Sequence, residues 1–237
     1  MKIVSILSYP KDEAVIRELL PKVDYSNALI PNCTLPLLEK TCDDALKYGF
    51  AAVAVYPTCI EYVIRRLEGS KVHSQIAVGF PSGNHLPEAK LREAEVALDM
   101  GVKEIDVVMS IYRFLNNEYA YVEKDIKQIV DAAAKYDVGV KMIIEVGFLN
   151  DVQKIVAGKI AVNAGVEYIK TCTGWWGRAN AHDITMLAEN FGDKAKIKAS
   201  GGILSLEDML TYTSLGASRC AGRIEIVNQL ETMGFLP

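Results

Sequence analysis

Eight short runs rich in Val, Ile and Ala recur along the 237 residues, and a longer stretch with helical periodicity follows each of them. The runs are VDYSNAL (23–29), AAVAVYP (51–57), SQIAVGFP (74–81), EIDVVMS (104–110), VGVKMIIEV (138–146), EYIKTCTG (167–174), AKIKASGG (195–202) and ASRCAG (217–222). Between them lie amphipathic segments such as LPLLEKTCDDALKYG, LPEAKLREAEVALDMG and DVQKIVAGKIAVNAG, which close on a glycine suited to a helix C-terminus. A leading helix is expected around Lys11–Lys22. Parallel strands need long crossovers and helices over the sheet. The repetition therefore predicts an α/β fold, a (β/α)8 TIM barrel with a short N-terminal helix before the first strand. A doubly wound open sheet is the alternative. Against it, no G-x-G-x-x-G turn follows the first run, and polar residues gather at the C-terminal ends of many different runs. No Pro-, Gly- or Ser-rich linker divides the chain, so residues 1–237 are expected to form one domain.

Charge narrows the partners. With 26 Lys+Arg against 30 Asp+Glu the net charge is −4, which leaves no surplus to neutralise a nucleic-acid backbone or an anionic membrane surface. No apolar run approaches the roughly 20 residues of a membrane-spanning helix. The N-terminal MKIVSILSYPKDEA has no export-signal pattern. Five cysteines, widely spaced and never in C-x-x-C, suit a reducing compartment, so the cytoplasm is expected. His73, His85 and His182 stand alone, so no metal site is expected. Cys172 reads as a small buried hydrophobe, and EAKLREAE as a solvated helix face.

Chemistry concentrates in the later runs. Lys170 lies in an otherwise apolar strand, EYIKTCTG, where alternation puts Tyr168, Lys170 and Cys172 on one face. Lys198 follows in the next run. Two ammonium groups at the barrel mouth repel each other, and apolar walls also favour the neutral amine, so both effects predict a depressed pKa. A neutral lysine amine attacks carbonyl carbon to form a Schiff base, whose protonated nitrogen accepts electrons from a breaking C–C bond. Asp106 in EIDVVMS is placed to hold a lysine and shuttle protons, and Asp24 in VDYSNAL is a second candidate. Gly201 and Gly202 after the seventh run, and Gly222 with Arg223 after the eighth, occupy positions where many barrels bind phosphate.

Together these residues resemble the deoxyribose-phosphate aldolase family from Asp24 to about Arg223. The most specific parts are EYIKTCTG, KIKASGGI, EIDVVMS and IAVGFPSG, with further similarity in YGFAAVAVYP and KMIIEVGFL. The resemblance implies reversible cleavage of 2-deoxyribose 5-phosphate to acetaldehyde and glyceraldehyde 3-phosphate, without metal or organic cofactor. It implies Lys170 as the imine lysine, Lys198 as the group that perturbs it and Asp106 in proton relay. Asp24 and Ser26 match the polar pair of the first strand, and Gly174 belongs to the T-G after the sixth. Its members are often homodimers.

The chain departs from the family at several positions. Tyr56 and Ser110 stand where asparagines are usual, Trp175-Trp176 follows the T-G, and Ala221-Gly222-Arg223 replaces Gly-Thr-Ser. The ending Gly-Phe-Leu-Pro lacks the tyrosine some members use. Two other functions stay open at this point: an aldolase with a different acceptor aldehyde, and a non-catalytic sugar-phosphate-binding protein on the same fold.

Overall fold

A computed structural model describes residues 12–236. The expected leading helix is there as α1 (Glu13–Leu19), started by the Asp12 side chain, which accepts from the Ala14 N–H; Lys11 lies outside the described residues. Then follow β1 (Val23–Tyr25), α2 (Leu35–Tyr48), β2 (Ala52–Val55), α3 (Ile60–Leu67), β3 (His73–Val78), α4 (Pro87–Asp99) and β4 (Glu104–Val108). The second half comprises α5 (Ile111–Leu115), α6 (Tyr119–Ala134), β5 (Gly139–Ile143), α7 (Asp151–Ala164), β6 (Tyr168–Lys170), α8 (Ala181–Phe191), β7 (Lys196–Ala199), α9 (Leu206–Ser214), β8 (Ala217–Gly222) and α10 (Ile224–Thr232). All eight strands pair in parallel and in chain order, and β8 closes on β1.

Period-two alternation divides each strand between two environments. Val23, Tyr25, Ile76, Val78, Ile105, Val107, Ile169 and Ile197 belong to the apolar core that the helices cover. The residues one step out of phase are charged and buried: Asp24, Asp106, Lys170 and Lys198. The helices end where the sequence predicts. Gly49 and Gly165 adopt left-handed φ of 66° and 84°, and their N–H groups donate to the carbonyl of Ala45, and to those of Ala161 and Val162, respectively. Asn150 and Gln153 form a reciprocal capping box at the start of α7.

Several expectations need correction. Most strands are shorter than the apolar runs: β1 stops at Tyr25 and β6 at Lys170, although the residues just beyond still bond to the ends of neighbouring strands or the loops that leave them. Thus the Ser26 N–H donates to Gly222 O, and Thr171 Oγ1 to Ser200 O. The short α5 is an extra element between β4 and α6. EAKLREAE is not wholly solvated. Lys90 is fully buried, its Nζ donating to Asp125 Oδ2 at 2.6 Å and to Val108 O at 2.7 Å, and Glu93 accepts from the Gly79 N–H. The long lysine stem lies under Gly79, where the missing side chain makes room for it. No helix among the described residues is long and apolar enough to cross a membrane.

Candidate active site

Register places Lys170 directly opposite Lys198 on adjacent strands β6 and β7, and Asp106 opposite Lys141 on β4 and β5. Asp106 Oδ2 accepts from Lys170 Nζ at 2.6 Å and from Lys198 Nζ at 2.8 Å. Lys198 Nζ also lies 2.6 Å from Asp24 Oδ2. The four charged residues expected from the sequence thus meet in one buried cluster.

Three more charged residues complete it. Lys141 pairs with Glu104, and lies 3.5 Å from Asp24 and 3.8 Å from Asp106. Arg219 bridges Asp24 at 2.5 Å and Glu104 at 3.0 Å, with Tyr168 beneath both cations. Glu104 also meets His73 Nδ1 at 2.9 Å. The alternation that singles out Asp106 also puts Glu104 on its face, two residues earlier, but the first residue of a strand is ordinarily a surface position. Arg219 reaches Asp24 only because β8 closes on β1.

The expected apolar walls are therefore replaced by ion pairs, and the causes of each protonation state change accordingly. Burial pulls Lys170 down to about 8; Lys198 adds to this, while Asp106 opposes it. Desolvation, more than repulsion between the two lysines, is the leading cause. Burial pushes Asp106 upward, yet Lys170, Lys198 and Lys141 hold it at about 2. Asp24 is held below the carboxylate range by Lys141, Lys198 and Arg219 against its burial. Lys141 stays above the ordinary lysine range because Asp24 and Glu104 outweigh its desolvation. Formally, three carboxylates face four cations, so the cluster becomes neutral when one amine loses its proton. Lys170 is the amine placed to do so.

Above the strand ends lies a cavity of about 480 Å³. Ser26, Gly174, Gly201, Gly202 and Arg223 line it, as does Arg178, which the sequence pattern does not single out. Gly201 and Gly202 have φ of +100° and +68°, where side-chain-bearing residues are strained. Gly222 does not line the cavity. A Cβ there would come within 2.9 Å of Met209 and Val23, so this glycine serves close packing, while its carbonyl accepts from the Ser26 hydroxyl at 3.2 Å. Nor does Arg223 cap a carboxylate: it is exposed, just before α10, and unpaired among the described residues. Burial pushes the Cys172 thiol up to about 12, in keeping with a packing role. Glu145, buried at φ +51°, accepts from the Thr173 N–H at 2.9 Å and anchors the loop after β6.

A row of aromatic rings crosses the barrel mouth: Tyr56, Phe80, Trp175, Trp176 and Phe148, with successive centroids 5.7, 6.4, 6.4 and 5.8 Å apart. Ser110 is buried and donates to Asn84 Oδ1 at 3.4 Å. In the donor group Asp151, His182 and Asp183, Lys154 Nζ lies 3.1 Å from Asp151 and 2.7 Å from Asp183.

The sequence profile of DeoC/LacD family aldolases matches residues 25–224. A deoxyribose-phosphate aldolase from Caldicellulosiruptor saccharolyticus is 42% identical over 205 residues, covering 86% of this chain and 93% of that protein. One from Clostridium perfringens is 38% identical over 211 residues, covering 89% of this chain and 93% of the other. Among solved structures, the tetrameric deoxyribose phosphate aldolase of Aeropyrum pernix superposes with a TM-score of 0.84 at 25% identity, covering 92% of this chain and 93% of that one.

Proposed function

The chain belongs to the DeoC/LacD family of aldolases, which are lyases, and from that premise we propose that it cleaves 2-deoxyribose 5-phosphate reversibly to acetaldehyde and glyceraldehyde 3-phosphate through a Schiff base on Lys170. One observation carries the reading: the Lys170 amine, pulled down to about 8 by burial, lies 2.6 Å from the Asp106 carboxylate at the end of β6, whose following loop lines the cavity that holds the unpaired arginines.

The neutral amine adds to C1 of the open-chain sugar. The resulting carbinolamine carries no charge on nitrogen, so Asp106 loses its nearest cation and becomes a better base than at rest. It takes and returns the proton needed to expel water and leave the iminium. Removal of the C3 hydroxyl proton then breaks the C2–C3 bond. Its electron pair passes into the iminium to give the enamine, and glyceraldehyde 3-phosphate departs. Protonation at C2 and hydrolysis release acetaldehyde and regenerate the amine. Lys198, Asp24, Lys141, Glu104 and Arg219 act through the field on Lys170 and Asp106. Gly174, Gly201, Gly202, Ser26 and Arg223 hold the phosphate through backbone N–H groups, a hydroxyl and a guanidinium. No metal or organic cofactor enters any step.

Trapping tests this reading. Acetaldehyde with borohydride should leave a reduced two-carbon adduct on the peptide containing Lys170; an adduct on Lys198, or none with any small aldehyde, would overturn it. The aromatic row favours a second reading, the same imine chemistry with a bulkier or less polar acceptor, because Phe80 and Trp175 line the cavity. Faster cleavage of an aldol carrying a bulky apolar acceptor than of deoxyribose 5-phosphate would select it. We place the enzyme in the cytoplasm, where its five free cysteines stay reduced, as one barrel domain that associates as a homodimer.

A further inference from the structure

The chain has eight arginines. Six of them ion-pair with carboxylates: Arg17, Arg65, Arg66, Arg92, Arg113 and Arg219. The two without a carboxylate or hydrogen-bond partner among the described residues, Arg178 and Arg223, both line the same cavity. They come from different parts of the barrel, Arg178 from the loop after β6 and Arg223 from the end of β8. No Asp or Glu lines that cavity, although acids outnumber bases in the chain as a whole. A cavity wall with two uncompensated guanidiniums and no acid favours an anion, and the planar guanidinium fork matches phosphate oxygens.

Arg178 also sits on a fixed backbone. The Ala179 N–H donates to Gly201 O at 2.9 Å, and Tyr212 holds the Ala179 carbonyl from α9 at 3.1 Å. A Cβ on Gly201 would fall 2.7 Å from Gly177 O and 3.2 Å from Arg178 Cα, so the two loops touch backbone to backbone. The Arg178 side chain lies along Gly202, whose Cβ would meet its Cγ and Cδ at 3.1 Å and its Nη1 at 3.3 Å. Its stem therefore runs beside the glycine loop expected to receive the anion.

We propose that Arg178 is a specificity-determining residue, the second guanidinium of a two-arginine clamp that makes this enzyme select a phosphorylated over an unphosphorylated sugar. This rests on the reading of the cavity as the phosphate end of an aldolase site, and it assigns the charge to two residues outside the glycine backbone. The sequence change that removes hydroxyls after β8 is thereby offset from two loops.

The test compares kcat/KM for deoxyribose 5-phosphate and for deoxyribose in the wild type, Arg178→Ala, Arg178→Lys and the double variant Arg178→Ala/Arg223→Ala. Arg178→Ala should lower the phosphorylated-to-unphosphorylated ratio about ten- to a hundredfold, chiefly through KM, as expected for loss of a charge-assisted hydrogen bond. Lysine should restore part of the ratio, and the double variant should lower it further. A ratio that holds, or an equal fall on both sugars, would overturn the proposal. Phenylglyoxal labelling mapped by peptide mass spectrometry gives a readout that needs no sugar. Inorganic phosphate should protect Arg178 and Arg223 while exposed Arg65 and Arg92 are modified regardless, and absence of protection at Arg178 would overturn the clamp. Failed imine trapping alongside intact protection would instead overturn the proposed reaction and leave the anion site standing.

Discussion

Replacing Lys198 with leucine isolates the electrostatic control of the reactive amine. The Lys170 and Lys198 nitrogens each contact Asp106 Oδ2, at 2.6 and 2.8 Å, so they lie no more than about 5.4 Å apart. Two like charges at that separation repel by about 3 kcal/mol at an effective dielectric of about 20, or roughly two pKa units. Asp106 would also turn wholly to Lys170, which works in the same direction. Lys170, now at about 8, would move toward ~10. Its neutral fraction at pH 7 would fall from about one-tenth to about one-thousandth, a loss of about a hundredfold in rate. The fold should survive, because removing one of four cations leaves three carboxylates facing three cations and orphans none of them. The assay is the acid limb of kcat/KM against pH, which reports groups of the free enzyme. In Lys198→Leu that limb should shift upward by roughly two units, with activity recovering at high pH. An acid limb that stays near 8 in a folded, slowed variant would refute this reasoning and assign Lys198 to proton transfer.

Two stability measurements probe the same physics. In the wild type, Lys170 has a folded pKa of about 8 against 10.5 for the free group, so below pH 8 folding carries the full cost of a buried ammonium. Between those values the unfolded chain binds more protons, and wild-type stability should rise with pH by up to about 3 kcal/mol. Lys170→Met lacks this contribution, so the difference in urea-unfolding free energy between variant and wild type should change by that amount from pH 7 to 10.5, in the wild type's favour; a pH-independent difference would contradict it. The second concerns Lys90, whose charge meets Asp125 at 2.6 Å in full burial. Lys90→Met should cost about 3–5 kcal/mol, because it leaves a buried carboxylate unpaired. Adding Asp125→Leu should recover most of that, and a single-variant cost near zero in chemical denaturation would show the pair to be solvated.

The barrel was legible because its strands alternate so regularly that the charged residues stand out of phase with Val and Ile, as in the Val23, Asp24, Tyr25 series of β1. Strand order alone then put Lys170 beside Lys198. What stayed hidden depends on closure and on loops. Glu104 begins its strand, where charge ordinarily means solvent, and Lys141 stands in mid-strand on β5; only the closed ring brings both against Asp24 and Arg219. Arg178 lies between β6 and α8, in a loop with no periodicity to reveal its direction, and only its contact with Gly202 shows where it points. Lys90 misled for a related reason. EAKLREAE is charged on most faces, but residue 90 faces α6, where Asp125 receives it.

The hidden residues explain why Lys170 loses its proton more readily than Lys141. Lys141 has three carboxylates within 4 Å and Lys198 has two, whereas Lys170 has Asp106 alone and shares it with Lys198. Discharging Lys141 or Arg219 would leave Glu104 and Asp24 short of cations at the closed end of the barrel. Discharging Lys170 leaves every carboxylate with a partner, and it does so at the last residue of β6. A lysine moved one layer down, in place of Tyr168, would be surrounded by Lys141, Lys196 and Arg219 and would be far from any aldehyde. Charge balance therefore points to one amine: Lys141 and Arg219 keep their protons, held by Asp24 and Glu104, so that Lys170 can give its proton away.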